Sequence, residues 1–233
     1  MVNLIPKEDL QDQLEEETQM VLLRETGIDD NDENTNGSTK LGINQSENPK
    51  KFAVLLCADD SEYVKKRYGG YFGVFVRMLA EEGEIWDVYR VAGNEFPDDG
   101  EIDGYDGFVI TGSCNDAHAS SSKLFPNLKI SSMLNIIECH QDEVSELPPE
   151  AEVIGRSNKT SIEMFRYGDH VMGIQGHPEY NKDILLHLID RLLQKKFIED
   201  NYANELRTKF MESRDPDKDA WRKLCVSFLK GRL

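Results

Sequence analysis

The sequence contains few cysteines, and they are widely spaced. Among 233 residues there are four, Cys57, Cys114, Cys139 and Cys225, and no two of them form a Cys-x-x-Cys pair. A disulfide framework or a structural zinc site usually shows closely spaced cysteines. We therefore expect reduced thiols in a cytosolic protein, with no disulfide and no bound metal ion.

Long hydrophobic runs and clustered positive charge are also missing. No apolar stretch approaches the length of a membrane span, and the first residues contain no apolar core of a signal peptide. The net charge of −17 argues against nucleic acid or an anionic membrane as a partner, because both bind clustered Lys and Arg. We expect neither as a partner.

Acidic charge is abundant at the N-terminus, where residues 1–50 carry twelve Asp and Glu against four Lys and Arg. Spaced apolar residues predict an acidic helix over residues 8–26, and the polar composition of residues 28–50 predicts disorder. We predict an acidic, largely disordered extension over residues 1–50 and a folded domain over residues 51–233. A protein partner could bind the extension, although a solvated extension without a partner is the simpler interpretation.

From residue 51 onward, short apolar runs alternate with amphipathic stretches. Seven apolar runs predict strands, at residues 52–57, 85–91, 108–111, 133–138, 151–154, 162–167 and 171–174. Apolar residues at three- and four-residue spacing predict helices at residues 64–79, 184–197 and 221–228. The alternation predicts an α/β fold with an open, mostly parallel sheet flanked by helices.

The residues that follow the last predicted strand carry the clearest chemical signal. Residues 175–180 read Gln-Gly-His-Pro-Glu-Tyr, so His177 and Glu179 lie two residues apart just beyond a strand end. Catalytic side chains of α/β folds concentrate there, and an imidazole held by a carboxylate can activate a nucleophile as a general base. Taken alone, the pair is more simply a surface turn that Pro178 stiffens.

Five short motifs that follow one another along the chain favour a functional interpretation of this pair. They lie at residues 68–72, 81–87, 105–113, 139–144 and 175–181. Together they resemble the class I glutamine amidotransferase-like proteins, which have a flavodoxin-like fold, and most closely the plant γ-glutamyl peptidases. The resemblance extends over about residues 51–232, apart from a break after Ala119.

The resemblance implies a Cys-His-Glu hydrolase that cleaves the γ-glutamyl amide of glutathione or its conjugates without a metal or organic cofactor. A thiolate would attack the amide carbonyl, and water would hydrolyse the resulting thioester. In this comparison His177 matches the general base and Glu179 the carboxylate that orients it. The backbone around Gly112 and Ser113 matches the loop that donates N–H groups to the oxyanion.

The expected setting of the nucleophile is missing. The family carries its cysteine on a Gly-x-Cys-x-Gly elbow, because a sharp turn needs glycines to expose the thiol, and no such motif occurs in the chain. The family places a helix, a strand, the elbow and further strands where this chain has only residues 114–138. We therefore predict a domain truncated between about residues 119 and 133, with little or no catalysis.

None of the four cysteines is an obvious replacement. Cys139 precedes His140, but it lacks the glycines of an elbow, and the resemblance gives its segment a structural role. Cys114 is a weaker candidate, and Cys57 and Cys225 lie on apolar faces, as small core residues do. Three hypotheses remain open: an active cysteine hydrolase, an inactive relative that binds γ-glutamyl compounds or a protein partner, and a truncated chain without a stable fold.

Overall fold

The structure is a computed structural model, and it describes residues 20–24, 48–112, 133–139 and 143–233. In this part of the chain, helices flank a mixed seven-stranded sheet. The strands are β1 (Met20–Arg24), β2 (Lys51–Leu56), β3 (Ile85–Arg90), β4 (Gly107–Ile110), β5 (Ala151–Gly155), β6 (Met164–Tyr167) and β7 (Val171–Ile174). The helices are α1 (Glu62–Tyr68), α2 (Gly70–Leu79), α3 (Asp99–Ile102), α4 (Lys182–Gln194), α5 (Asp200–Glu212) and α6 (Lys218–Leu229). The strand order is β3-β2-β4-β1-β7-β6-β5.

The first half of the sheet is parallel. β2 pairs with β3 on one side and with β4 on the other, both in the parallel sense. The single helix predicted over residues 64–79 is divided into α1 and α2, because Gly69 and Gly70 adopt positive φ angles of 81° and 82°. Such angles suit glycine and end a right-handed helix. α2 then packs on β2 and on α6.

The second half is an antiparallel meander of β5, β6 and β7. After β7 the chain turns through residues 175–180 into α4, whose N-cap is Asn181. The side-chain oxygen of Asn181 accepts a hydrogen bond of 2.8 Å from the Ile184 N–H group, as an N-cap residue does. The apolar stripe of α4 is buried, as its spacing predicts.

β1 joins the two halves, antiparallel to both β4 and β7. The helix predicted over residues 8–26 is therefore wrong at residues 20–24, because Met20 and Leu22 are buried within the sheet at 2% and 0% exposure. A continuous apolar run is typical of a strand covered on both faces. The boundary near residue 51 stays a prediction, since most of residues 1–50 lies outside the described residues.

The segment before Cys139 is not the strand predicted at residues 133–138. Its described part pairs only through an isolated bridge between Ile137 and His177. α6 fixes the segment instead: the Asn135 N–H group donates to Asp217 Oδ2 at 2.7 Å, and Trp221 Nε1–H donates to the Asn135 carbonyl at 3.0 Å. The truncation predicted between residues 119 and 133 falls almost wholly outside the described residues.

The α/β fold class is confirmed, and the sheet is mixed because β1 and the meander contribute antiparallel pairs. Since β1 is antiparallel to β4 and to β7, those two strands run in the same direction. β2, β3, β4 and β7 therefore all end at one edge of the sheet, which we call the carboxyl edge. Functional side chains of open α/β sheets gather outside this edge.

Candidate active site

His177 and Glu179 form a buried pair at the carboxyl edge, directly after β7. His177 Nδ1 lies 2.9 Å from Glu179 Oε1, and the two residues are only 3% and 9% exposed. With Nδ1–H donating to the carboxylate, the basic lone pair of the neutral imidazole is on Nε2. The pair can therefore hold an imidazole in the tautomer that a general base requires.

The backbone fixes the position of this imidazole. The His177 N–H group donates to the Ile137 carbonyl at 2.8 Å, and the Tyr180 N–H group donates back to the His177 carbonyl at 3.2 Å. Gly176 lets the 133–139 segment approach, because a Cβ there would lie 2.6 Å from a carboxylate oxygen of Glu138. The turn over residues 175–180 is thus held from both sides.

Aromatic stacking fixes the orientation of the His177 ring. The Tyr180 ring lies parallel to the His177 ring, with centroids 4.1 Å apart and an interplanar angle of 10°. The hydroxyl groups of Tyr180 and Tyr71 lie 3.2 Å apart, and the Tyr71 N–H group donates to Asp60 Oδ1 at 2.7 Å. A chain of contacts therefore connects the start of α2 with the imidazole.

Gly112 lies at the same edge of the sheet, after β4. The Thr111 N–H group donates to the Leu55 carbonyl and the Cys57 N–H group donates to Thr111 Oγ1, both at 3.0 Å. Because β4 and β7 both pair with β1, their axes are about 10 Å apart. The structure therefore brings Gly112 and the His177 pair to one edge with β1 between them, whereas Ser113 lies outside the described residues.

The cysteines are spread over different parts of the fold. Cys57 is half-buried, and burial raises the pKa of its thiol, against a hydrogen bond with Thr111. Cys225 in α6 is fully buried, and its thiol pKa is raised by burial first and by the charge of Glu179 second. Cys139 is half-buried two residues after Ile137. Cys114 and His140 lie outside the described residues.

Sequence reasoning missed three members of the site. Tyr71 and Tyr180 support the imidazole from α2 and from the turn itself, and Glu138 is 3% exposed against Gly176. The adjacency of Tyr180 to the His-Pro-Glu motif was an available signal. The helical spacing of Tyr71 predicted a core residue, with ligand contact by residues 68–71 as the alternative that the resemblance offers, and nothing in the sequence indicated Glu138.

Within the described ranges, no group of three or more His, Cys, Asp or Glu is arranged to hold a metal ion. No helix in that part of the chain is both long and apolar enough to cross a membrane.

Comparison with known proteins identifies the family. The chain is 39% identical to γ-glutamyl peptidase 5 and 37% identical to γ-glutamyl peptidase 3, both of Arabidopsis thaliana. The matches cover 78% and 79% of this chain and 96% and 98% of those proteins. The chain belongs to the γ-glutamyl peptidase family. Neither a protein-family model nor a solved structure matches it.

The family predicted from the five motifs is therefore confirmed. A γ-glutamyl peptidase 2 of the same organism matches as well, at 34% identity over 78% of this chain. The roles of His177, Glu179, Gly112 and Ser113 stay predictions, as does the missing nucleophile elbow.

Proposed function

We propose that this member of the γ-glutamyl peptidase family keeps the general base and the orienting carboxylate of a cysteine hydrolase but does not hydrolyse γ-glutamyl amides. The main observation that supports the proposal is the direction of β1 in the sheet. A nucleophile elbow needs a strand that ends at the carboxyl edge, and β1 begins there, since Met20 pairs with Ile174. The strand between the oxyanion loop and the base thus has the wrong direction to present a nucleophile.

The lengths of the aligned chains support the same reading. The alignment with γ-glutamyl peptidase 5 extends over 243 residues, whereas the matched 78% of the 233 residues of this chain is about 182 residues. The difference, 243 minus 182, leaves about sixty alignment positions opposite gaps in this chain. A loss of that size is large enough to remove a helix, a strand and the elbow.

The described thiols are poor substitutes for the lost nucleophile. The raised pKa values of Cys57 and Cys225 disfavour the thiolate, which is the attacking species. Cys139 has no elbow glycines, and its segment is tied to α6 through Asn135. The described cysteines are free thiols, which suits the reducing cytosol, and we assign the protein to that compartment.

A second candidate function is binding without turnover. A cavity of about 580 Å³ adjoins the site, and its lining includes Glu138, Glu163, Arg156, Arg214 and Gly176. Glu138 and Glu163 are 3% and 8% exposed. A γ-glutamyl compound carries an ammonium and a carboxylate group, and the cavity offers groups of opposite charge to both. This arrangement favours a γ-glutamyl ligand over a protein partner.

The decisive experiment measures glutamate release from glutathione by the purified chain, beside the His177→Ala and Cys139→Ala variants. We expect no release above the His177→Ala background. Release that both substitutions abolish would make Cys139 a nucleophile and would overturn the proposal. Cooperative thermal unfolding of the same sample distinguishes an inactive folded protein from a chain without a stable fold.

Calorimetric titration with glutathione tests the second candidate. Binding that Arg156→Ala weakens would support it, and Met211→Ala, at an exposed position that does not line this cavity, is the control. Absence of binding to a cooperatively folded sample would contradict it.

A further inference from the structure

β1 fills a groove that two distant parts of the chain form. Its residues pair with β4 from Val21–Ile110 to Arg24–Gly107 and with β7 from Met20–Ile174 to Leu23–Val171. Without β1, the facing edges of β4 and β7 would present unpaired N–H and C=O groups in the middle of the sheet. The groove therefore has the properties of a strand-binding site.

The groove recognises side chains as well as backbone. Met20 and Leu22 are buried at 2% and 0% exposure. Gly107 leaves room for the bound backbone, since a Cβ there would lie 2.7 Å from the Leu23 carbonyl oxygen. The groove thus fits an extended segment with large apolar side chains at alternate positions.

Its far end recognises the last residue of the strand. The Arg24 N–H group donates to the His170 carbonyl at 3.0 Å, and the Arg24 guanidinium lies 6.0 Å from the centroid of the Phe228 ring. A Cβ on Gly231 would lie 2.6 Å from an Arg24 nitrogen, so that glycine makes room for the guanidinium. These contacts set the register of the occupant.

The covalent connection to β2 is long enough that it does not by itself force β1 into the groove. Arg24 and Phe52 pair with Gly107 from opposite sides, so they are about 10 Å apart. Residues 25–50 connect them, and a chain of that length can span about 85 Å when extended. The connection is far longer than the gap, so β1 could leave the groove without breakage of the chain.

We propose that the groove between β4 and β7 is a strand-binding site and that its occupant, the Met20–Arg24 strand of the same chain, is held as an exchangeable ligand. Recognition follows β-strand addition, with backbone pairing for affinity and alternate side chains for specificity. The inference does not depend on whether the chain hydrolyses γ-glutamyl amides.

The test uses the full chain with a specific protease site, flanked by Gly-Ser linkers, inserted between residues 36 and 37. Cleavage is followed by mass spectrometry until it is complete. The product is then analysed by size-exclusion chromatography. We expect the N-terminal fragment to co-elute with the remainder of the protein. An excess of isotopically labelled synthetic peptide of residues 16–27 should then replace the bound fragment.

The Leu22→Asp peptide is the matched control, because it places a charge at the buried position. We expect it to replace the fragment about tenfold less effectively or worse. A fragment that separates while the remainder still unfolds cooperatively would overturn the proposal. So would a retained fragment that no peptide displaces. Cross-linking of β1 to β7 between isotopically labelled and unlabelled copies of the uncut chain would also overturn it, since the occupant would then be a second copy.

Discussion

The two halves of the sheet on either side of β1 are built in different ways. The β2-β3-β4 half is parallel, and helices connect its strands, whereas the β5-β6-β7 half is an antiparallel meander with short turns. Each half brings residues of the candidate site to the carboxyl edge: Gly112 follows β4, and the His177–Glu179 pair follows β7. The comparison shows that two differently built halves end at one edge, because a strand that is antiparallel to both β4 and β7 leaves those two strands parallel to each other.

The largest effect is expected where the halves meet. Leu22→Asp places a carboxylate at a fully buried position between β4 and β7. Burial of an unpaired charge costs several kcal/mol, so we expect loss of cooperative unfolding in urea. Met133→Asp is the control, because Met133 is 87% exposed. A stable Leu22→Asp variant would contradict the central position of β1.

A smaller loss is expected within the first half at Lys230, whose side chain is fully buried and forms an ion pair with Glu84. Its ammonium also lies 4.0 Å from the centroid of the Phe52 ring. Lys230→Met should lower the free energy of unfolding by about 3 kcal/mol, because it leaves Glu84 buried without that partner. The double variant with Glu84→Gln should regain most of the loss, and urea titration of both variants checks this. Equal stabilities of the two variants would show that the unpaired Glu84 carboxylate does not cause the loss.

The contact across the two halves, between Tyr71 and Tyr180, should contribute less. Tyr180→Phe removes one hydroxyl of the 3.2 Å pair and keeps the ring stacked on His177. We expect a loss of about 1 kcal/mol in the free energy of unfolding, the usual net value of a hydrogen bond. Tyr71→Phe should cost a similar amount, and the double variant should cost less than the sum of the two. Strict additivity would show that the hydroxyl groups do not interact.

The smallest effect on the free energy of unfolding is expected when the Asp217 carboxyl group is protonated at low pH. The Asn135 N–H group beside Asp217 lowers the pKa of that carboxyl below its usual value. Its contribution to stability is therefore complete above the unfolded-state pKa of about 3.9 and is lost as the pH falls through the lower folded-state pKa. Urea midpoints of the native chain and of Asp217→Asn should differ at pH 6 and converge near pH 2. A difference that stays constant with pH would exclude the carboxylate as its source.

The sequence predicted the two halves better than their junction. The apolar runs of β2, β3, β4 and β7 and the stripe of α4 indicated their structures, because burial and periodicity coincide there. The strand at β1 was mistaken for part of a helix, since its pairing depends on residues 107–110 and 171–174, far away in the chain. Local patterns carry no information about such partners.

In the candidate site, too, some residues could be predicted from local sequence and others could not. The pair of His177 and Glu179 was predicted from a local motif, and the structure places its side chains within hydrogen-bonding distance. The supporting contacts of Tyr71 and Glu138 depend on tertiary packing. A single sequence therefore indicates the candidate pair but not the residues from other elements that contact it.

The early position of β1 in the chain has a consequence during synthesis. Residues 20–24 leave the ribosome before either neighbouring strand exists, and Met20 pairs with Ile174, which is made about 150 residues later. Until then β1 lacks β7 and can pair only with β4, whereas all three strands of the parallel half are already present. Among the strands that the structure describes, the one that joins the two halves is therefore synthesised first.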